Sequence, residues 1–274
     1  MSESDNHKKS GFRLEKWYLD LVTDDGTAMI FYYAVLNWGL VTVPYAARMR
    51  YGPEGQLEEE WHFYPGVLPA AAGDDLFYRD RLSKAEGSWA PGAAPVGERL
   101  FENGGGTLEW NCHRPNSRVT LKTGGGLIEG RGYAEQLVMT VRPWDIPMTR
   151  LRWGRFAGAR DSVVWIEMTG EPHRQWVWLN GRAISAAAIT DEGVSISGGE
   201  TELRFSEPKT LGEEKKIGSV VKKVAGYIPG IDSLMPSRFL LAEQTRWRSR
   251  GALLVNGEVV DTGWVIHERV DFDG

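Results

Sequence analysis

A chain of 274 residues with 32 Lys+Arg against 37 Asp+Glu carries a formal net charge of −5, and 42% of its residues are hydrophobic, a globular composition long enough for one large β domain or two smaller ones. A single cysteine, Cys112, excludes an internal disulfide framework and a multi-cysteine zinc site. The acidic balance argues against a nucleic-acid partner, which needs a concentrated basic surface.

The start, Met1 to Gly11, is polar and charged, without the apolar run of a signal peptide. No stretch approaches the roughly 18 apolar residues of a spanning helix. Cytoplasmic residence without a membrane span is the expectation, and a lone thiol fits a reducing compartment. From there the rhythm is β-type. Phe12–Val22 and Thr27–Leu36 read as strands around the turn Asp24-Asp25-Gly26, and Leu40–Tyr51 and Gln56–Tyr64 flank Gly52-Pro53-Glu54-Gly55. Residues 65–97, rich in Ala, Gly and Pro, read as loops around a short run near Leu76–Arg81. Gly97–Glu102, Thr107–Cys112 and Arg118–Thr123 then read as a meander, the last two separated by Pro115-Asn116.

A second β series begins after Gly124-Gly125-Gly126 with the long run Leu127–Val141, followed by Leu151–Phe156 and Ser162–Met168. Asn180-Gly181, between Gln175–Leu179 and Arg182–Ile189, is a strong hairpin signal, and Asn256-Gly257 repeats it between Ala252–Val255 and Glu258–Asp261. Glu200–Phe205 and Phe239–Trp247 are further strand candidates. One interruption has helical spacing: Ile217, Val220, Val221 and Val224 predict a short helix among the strands, a packed connector or a lid. Strands dominate and no βαβ rhythm appears, so the expectation is an all-β chain of antiparallel barrels or sandwiches. The glycine triplet suggests two domains, 1–124 and 125–274.

Recognised nucleophile, phosphate-loop, dinucleotide and zinc-protease motifs are missing, so no cofactor is expected. The five histidines are dispersed, so no metal is expected either. The informative segment is Gly130–Phe156. On an extended strand, Glu129, Arg131, Tyr133 and Glu135 share one face, as do Leu151, Trp153 and Arg155 opposite Arg152 and Phe156. The first row is either a solvent face or the lining of a cavity. The 12 tryptophans bring large rigid apolar area with one N–H donor each, suited to cores and pockets alike.

Three short elements carry a resemblance. Leu14–Gly26 (LEKWYLDLVTDDG) resembles the E-W-W-Y-F-D opening of the carotenoid 1,2-hydratase (hydroxyneurosporene synthase)/AttH-like family. Gly132-Tyr133-Ala134-Glu135 stands where that family has G-Y-x-D, and Leu151–Phe156 (LRWGRF) resembles its W-x-W-G-R-F element. The chain departs from the pattern at Ala134 and Gln136, where the family often has histidines, and at Leu137-Val138-Met139, where it has N-W-G. The resemblance implies two tandem lipocalin-like antiparallel β-barrels with a hydrophobic pocket. It also implies a cofactor-independent enzyme acting on a polyene, terpenoid or polyketide-like molecule by acid-assisted hydration, isomerisation or cyclisation. The alternative is a non-catalytic carrier of a hydrophobic ligand, and the oligomeric state stays open.

On this reading Glu135 is the general-acid candidate, its pKa raised if an apolar wall buries it, and Tyr133 supplies a hydrogen bond. An ion pair of Glu135 with Arg131 or Arg155 would instead make it structural. Trp144, Trp153 and Trp165 are candidates to line the pocket, or else to fill the core, and Glu243, Arg246 and Trp247 on a late strand are candidates to reach the same cavity. Arg152 and Arg155 are candidates to fix a substrate oxygen, or else to form inter-strand salt bridges. Trp17, Tyr18 and Asp20 read as barrel-closing structure, and Trp176 and Trp178 as a plug at one end of the second barrel.

Overall fold

The computed structural model describes residues 11–80, 84–184, 186–212, 215–216 and 235–272. Ten strands form the first sheet: β1 (Phe12–Val22), β2 (Ala28–Trp38), β3 (Val41–Tyr51), β4 (Leu57–His62), β5 (Ala70–Ala72), β6 (Asp75–Asp80), β7 (Ala85–Trp89), β8 (Val96–Asn103), β9 (Gly106–Thr123) and β10 (Gly126–Met139). Their order is β4-β3-β2-β1-β10-β9-β7-β6-β5, with β8 beside β9. The second sheet holds β11 (Met148–Gly158), β12 (Ser162–Gly170), β13 (Arg174–Leu179), β14 (Arg182–Ile184), β15 (Ala186–Ile189), β16 (Gly193–Ile196), β17 (Thr201–Thr210), β18 (Lys215–Lys216), β19 (Glu243–Val255) and β20 (Glu258–Asp271). Its order is β14-β13-β12-β11-β20-β19-β17-β16-β15, with β18 beside β19. Each strand of the second sheet therefore occupies the position of the strand ten places before it.

Both sheets curl. The rings of Phe31 on β2 and Tyr78 on β6 lie 5.9 Å apart, and His62 Nε2 at the end of β4 meets Asp80 Oδ1 at the end of β6 at 3.2 Å. In the second sheet, Trp165 on β12 stacks on Phe205 of β17 at 5.5 Å. Strands distant in pairing order touch across an interior, so the chain is a tandem of two lipocalin-like antiparallel barrels. Alternation along β1 shows how the core divides. Trp17, Leu19 and Leu21 fill the first barrel with Phe31, Trp89 and Val119. Tyr18 and Val22 point the other way, into a layer shared with Trp153, Val164, Trp178 and Ile266 of the second barrel. The second interior is a separate cluster around Phe156, Trp165 and Leu203.

The expected division near Thr123–Leu127 falls on the β9–β10 hairpin, inside the first sheet. The glycine triplet is the turn of that hairpin, with Gly126 at φ +120°, and not a linker. β10 pairs with β1, and the chain passes to the second sheet only after Met139, through a 3₁₀ turn at Pro143–Asp145. Thr107–Cys112 and Arg118–Thr123 are one strand, β9. Pro115 lies between the segment paired to β8 and the segment paired to β7, where its missing N–H interrupts neither ladder. Phe239 to Leu241 belong to a short helix, α1 (Ser237–Leu241), with β19 starting at Glu243. Phe239 is drawn out of strand register by packing on Phe272 and Trp144. The helical spacing at Ile217–Val224 lies outside the described residues.

His267 illustrates the second interior. It is buried between Phe205 and Trp247, with Nε2 3.2 Å from Ser249 Oγ, and burial lowers its pKa to about 4. The unfolded chain therefore binds the extra proton between about pH 6.5 and 4, and stability falls as pH drops through that window. The loss is on the order of 3 kcal/mol. Urea unfolding of the wild type and His267→Gln from pH 7 to 4 is expected to show the flatter slope in the variant.

Candidate active site

Glu135 sits on a bulged stretch of β10, where pairing with β9 shifts register between Gly132 and Glu135. Bulges re-aim side chains, and here Tyr133 and Glu135 both project into the layer between the barrels. The Glu135 side chain is buried, and three donors converge on its Oε2: the Tyr133 hydroxyl at 2.7 Å, the Trp153 indole N–H at 3.1 Å and the Trp110 indole N–H. Trp110 and Tyr133 belong to the first barrel and Trp153 to the second, so both halves complete the cluster. Burial pushes the Glu135 carboxyl up, against the opposing pull of these hydrogen bonds and of the Lys16 charge.

The donor set also places the proton. An indole only donates, so an oxygen facing two indoles and a phenol serves as acceptor, and any proton the carboxyl takes up goes to Oε1. Among the described residues no hydrogen bond reaches Oε1. Glu135 borders a cavity of about 130 Å³ that Tyr18, Tyr32, Trp110 and Trp153 share with leucine, isoleucine and methionine side chains.

A second carboxylate, Glu268 on β20, borders the same cavity. It stands opposite Trp153 in the β11–β20 ladder much as Glu135 stands opposite Tyr18 in the β1–β10 ladder. Its surroundings are opposite in kind. Arg246 donates to Glu268 Oε2 from Nε at 2.9 Å and Nη2 at 2.5 Å, and to the Tyr32 hydroxyl at 2.7 Å. Burial raises the Glu268 carboxyl, but the Arg246 charge and hydrogen bonds, with smaller pulls from Lys16 and Gln244, together hold it below the usual range. Two carboxyls in one cavity are thus driven apart, one toward the acid and one toward the anion, as in sites that divide acid and base roles.

The other sequence candidates are distributed differently. Trp144, in the 3₁₀ turn, packs on Phe12, Trp38 and Phe239 and flanks the cavity through neighbouring Ile146. Trp165 fills the second barrel, and Trp247 stacks on His267; neither borders the cavity. Arg152 turns away to Glu167 (2.7 Å) and Asp191 (2.9 Å), the inter-strand salt bridge of the alternative reading. Arg155 is fully buried and holds Asp20 through two bonds of 3.0 and 2.5 Å, with Tyr18 donating to the same carboxylate at 2.9 Å. It is a bolt between β11 and β1, not a ligand clamp or a partner of Glu135. Trp178 stacks on Trp110 at 4.7 Å across the seam, so it faces the first barrel and does not plug the second. Trp110 and Glu268 join the site without having been singled out for it. Each lies in an apolar alternating row, Leu108-Trp110-Cys112 and Trp264-Ile266-Glu268, and a lone charge in the second row was the available signal.

No protein-family model and no curated protein sequence matches the chain. Solved structures do. A candidate AttH of Nitrosomonas europaea superposes with a TM-score of 0.54 at 13% identity, covering 99% of this chain and 97% of that one. Kievitone hydratase of Nectria haematococca gives 0.56 at 9% identity, covering 100% and 94%. CghA solved with Sch210972 gives 0.50 at 12% identity, covering 95% and 89%. The likeness read from three short sequence elements is thus a likeness of the whole fold: this chain has the tandem-barrel architecture of AttH and kievitone hydratase.

Proposed function

We propose that the chain is a cofactor-independent enzyme that uses Glu135 as a general acid on a carbon–carbon double bond of a hydrophobic polyene, terpenoid or polyketide-like molecule. The observation that carries this is the carboxyl itself: buried, with one oxygen receiving three neutral donors, on a residue that borders a mostly apolar cavity. The alkene π pair takes the proton from Oε1 and becomes a C–H bond. The carbocation left behind is steadied by the faces of Trp110, Trp153 and Tyr18. Water then adds its electron pair (hydration), a second double bond adds (cyclisation), or a neighbouring C–H pair forms a shifted double bond (isomerisation). In each case the surplus proton returns to the Glu135 carboxylate. The names of the structural neighbours, a hydratase and a protein solved with a small molecule, are consistent with this chemistry.

The test is a panel of the three compound classes, screened by quenching of tryptophan fluorescence and then incubated with the protein in D₂O. Deuterium appearing at carbon in a binding compound is the expected result. Binding throughout the panel with neither exchange nor conversion would overturn catalysis in favour of a carrier.

A further inference from the structure

Lys16 borders the same cavity, and its charge lowers the Glu135 carboxyl without a hydrogen bond to it. It precedes Tyr18 by two residues on β1, so it faces the second barrel, and it is half-buried. Its ammonium lies 5.5 Å from the Tyr32 ring centroid. Among the described residues it makes no hydrogen bond and no ion pair, although it stands near enough to Glu135 and Glu268 to bear on both. The charges around it do not cancel. Arg246 and Glu268 neutralise each other at close contact, and Glu135 as a general acid is neutral, which leaves the Lys16 charge over. Among the described residues no carboxylate pairs with the ammonium of this half-buried side chain, and a ligand anion would supply the missing counter-charge.

We infer that the cavity takes an amphipathic substrate whose acidic oxygen, a carboxylate or enolate, is bound by the Lys16 ammonium while its unsaturated chain occupies the apolar remainder. This rests on the proposed function for the location of the substrate and for the neutral state of Glu135, and adds the substrate's chemical class. About 130 Å³, slightly under the ~150 Å³ that takes one benzene ring, limits the enclosed part of the substrate to a short unsaturated segment.

The test compares sorbate (hexa-2,4-dienoate) with hexa-2,4-dien-1-ol, which shares its chain and lacks its charge, by fluorescence titration at neutral pH. The wild type is expected to prefer sorbate by about tenfold or more, the yield of a charge-assisted hydrogen bond. Lys16→Met is expected to abolish the preference with alcohol affinity unchanged, and Lys16→Arg to keep most of it. A preference that survives in Lys16→Met, or none in the wild type, overturns the Lys16 assignment. Failure of both probes to bind would remove the cavity as a substrate site and overturn the inference with it. Sorbate preference without deuterium uptake by any compound would instead overturn acid catalysis and leave the anion site standing.

Discussion

Glu135→Gln is expected to lower turnover roughly 10²- to 10⁴-fold, the range for loss of a positioned general acid, with ligand affinity changed by no more than a few-fold. Glutamine keeps the shape and leaves an amide oxygen to accept from Tyr133, Trp110 and Trp153, so the pocket is not rebuilt. The amide cannot give up a proton. The wild-type pH profile follows from the same side chain. Because burial raises its pKa, the active protonated form persists above the ordinary carboxyl range, and the rate falls as pH climbs through the raised value. The folded state binds this proton more tightly than the unfolded state, so stability also declines across that interval and then levels. Glu135→Gln should lack that decline. Turnover retained to within threefold in Glu135→Gln, measured on any compound that takes up deuterium, would remove Glu135 as the donor.

Asp20→Ala is expected to be the most damaging single change to stability, at about 3–5 kcal/mol, because it strands a fully buried guanidinium. Asp20 and Arg155 are both inaccessible to solvent, and Arg155 also donates to the Trp264 carbonyl at 2.9 Å. Removing the carboxylate leaves Arg155 with a charge that no water can reach, and leaves the Tyr18 hydroxyl without its acceptor. For a chain of this size the melting temperature should fall on the order of 10 °C. Asp20→Leu combined with Arg155→Met should recover much of the loss, since an apolar pair of similar volume avoids the desolvation cost. A single-variant loss below about 1 kcal/mol would show that the pair is not the bolt between the barrels.

Much of this was legible because strands advertise themselves by alternation and turns by glycine and asparagine. The Leu151–Phe156 element is readable residue by residue once its neighbours are known. Trp153 reaches the Glu135 oxygen, Arg155 reaches Asp20, and Gly154 is required because a Cβ there would collide with the Trp165 ring. The sequence showed the types but not the targets, since each partner lies on another strand more than ten residues away. Two errors have a common origin. Gly124–Gly126 resembles a linker and Pro115-Asn116 a turn, but backbone composition does not reveal which side of a strand has a neighbour. β9 tolerates Pro115 only because its ladder partners change there. Trp165 and Trp247 lie away from this cavity for the converse reason: a face of a strand can be predicted, but which apolar layer that face meets is decided by the pairing order of the whole sheet.

One oxygen receiving donors from both barrels has a mechanical implication. The strength of the acid becomes a gauge of how the two halves are seated. A slip of about an ångström along the seam would detach the Trp153 indole while Tyr133 and Trp110, anchored on the same side as Glu135, stay put. The carboxyl would then lose one brake on its rising pKa and hold its proton more firmly. Tight seating and proton release are in this way one property, and the buried bolt that sets the first also sets the second.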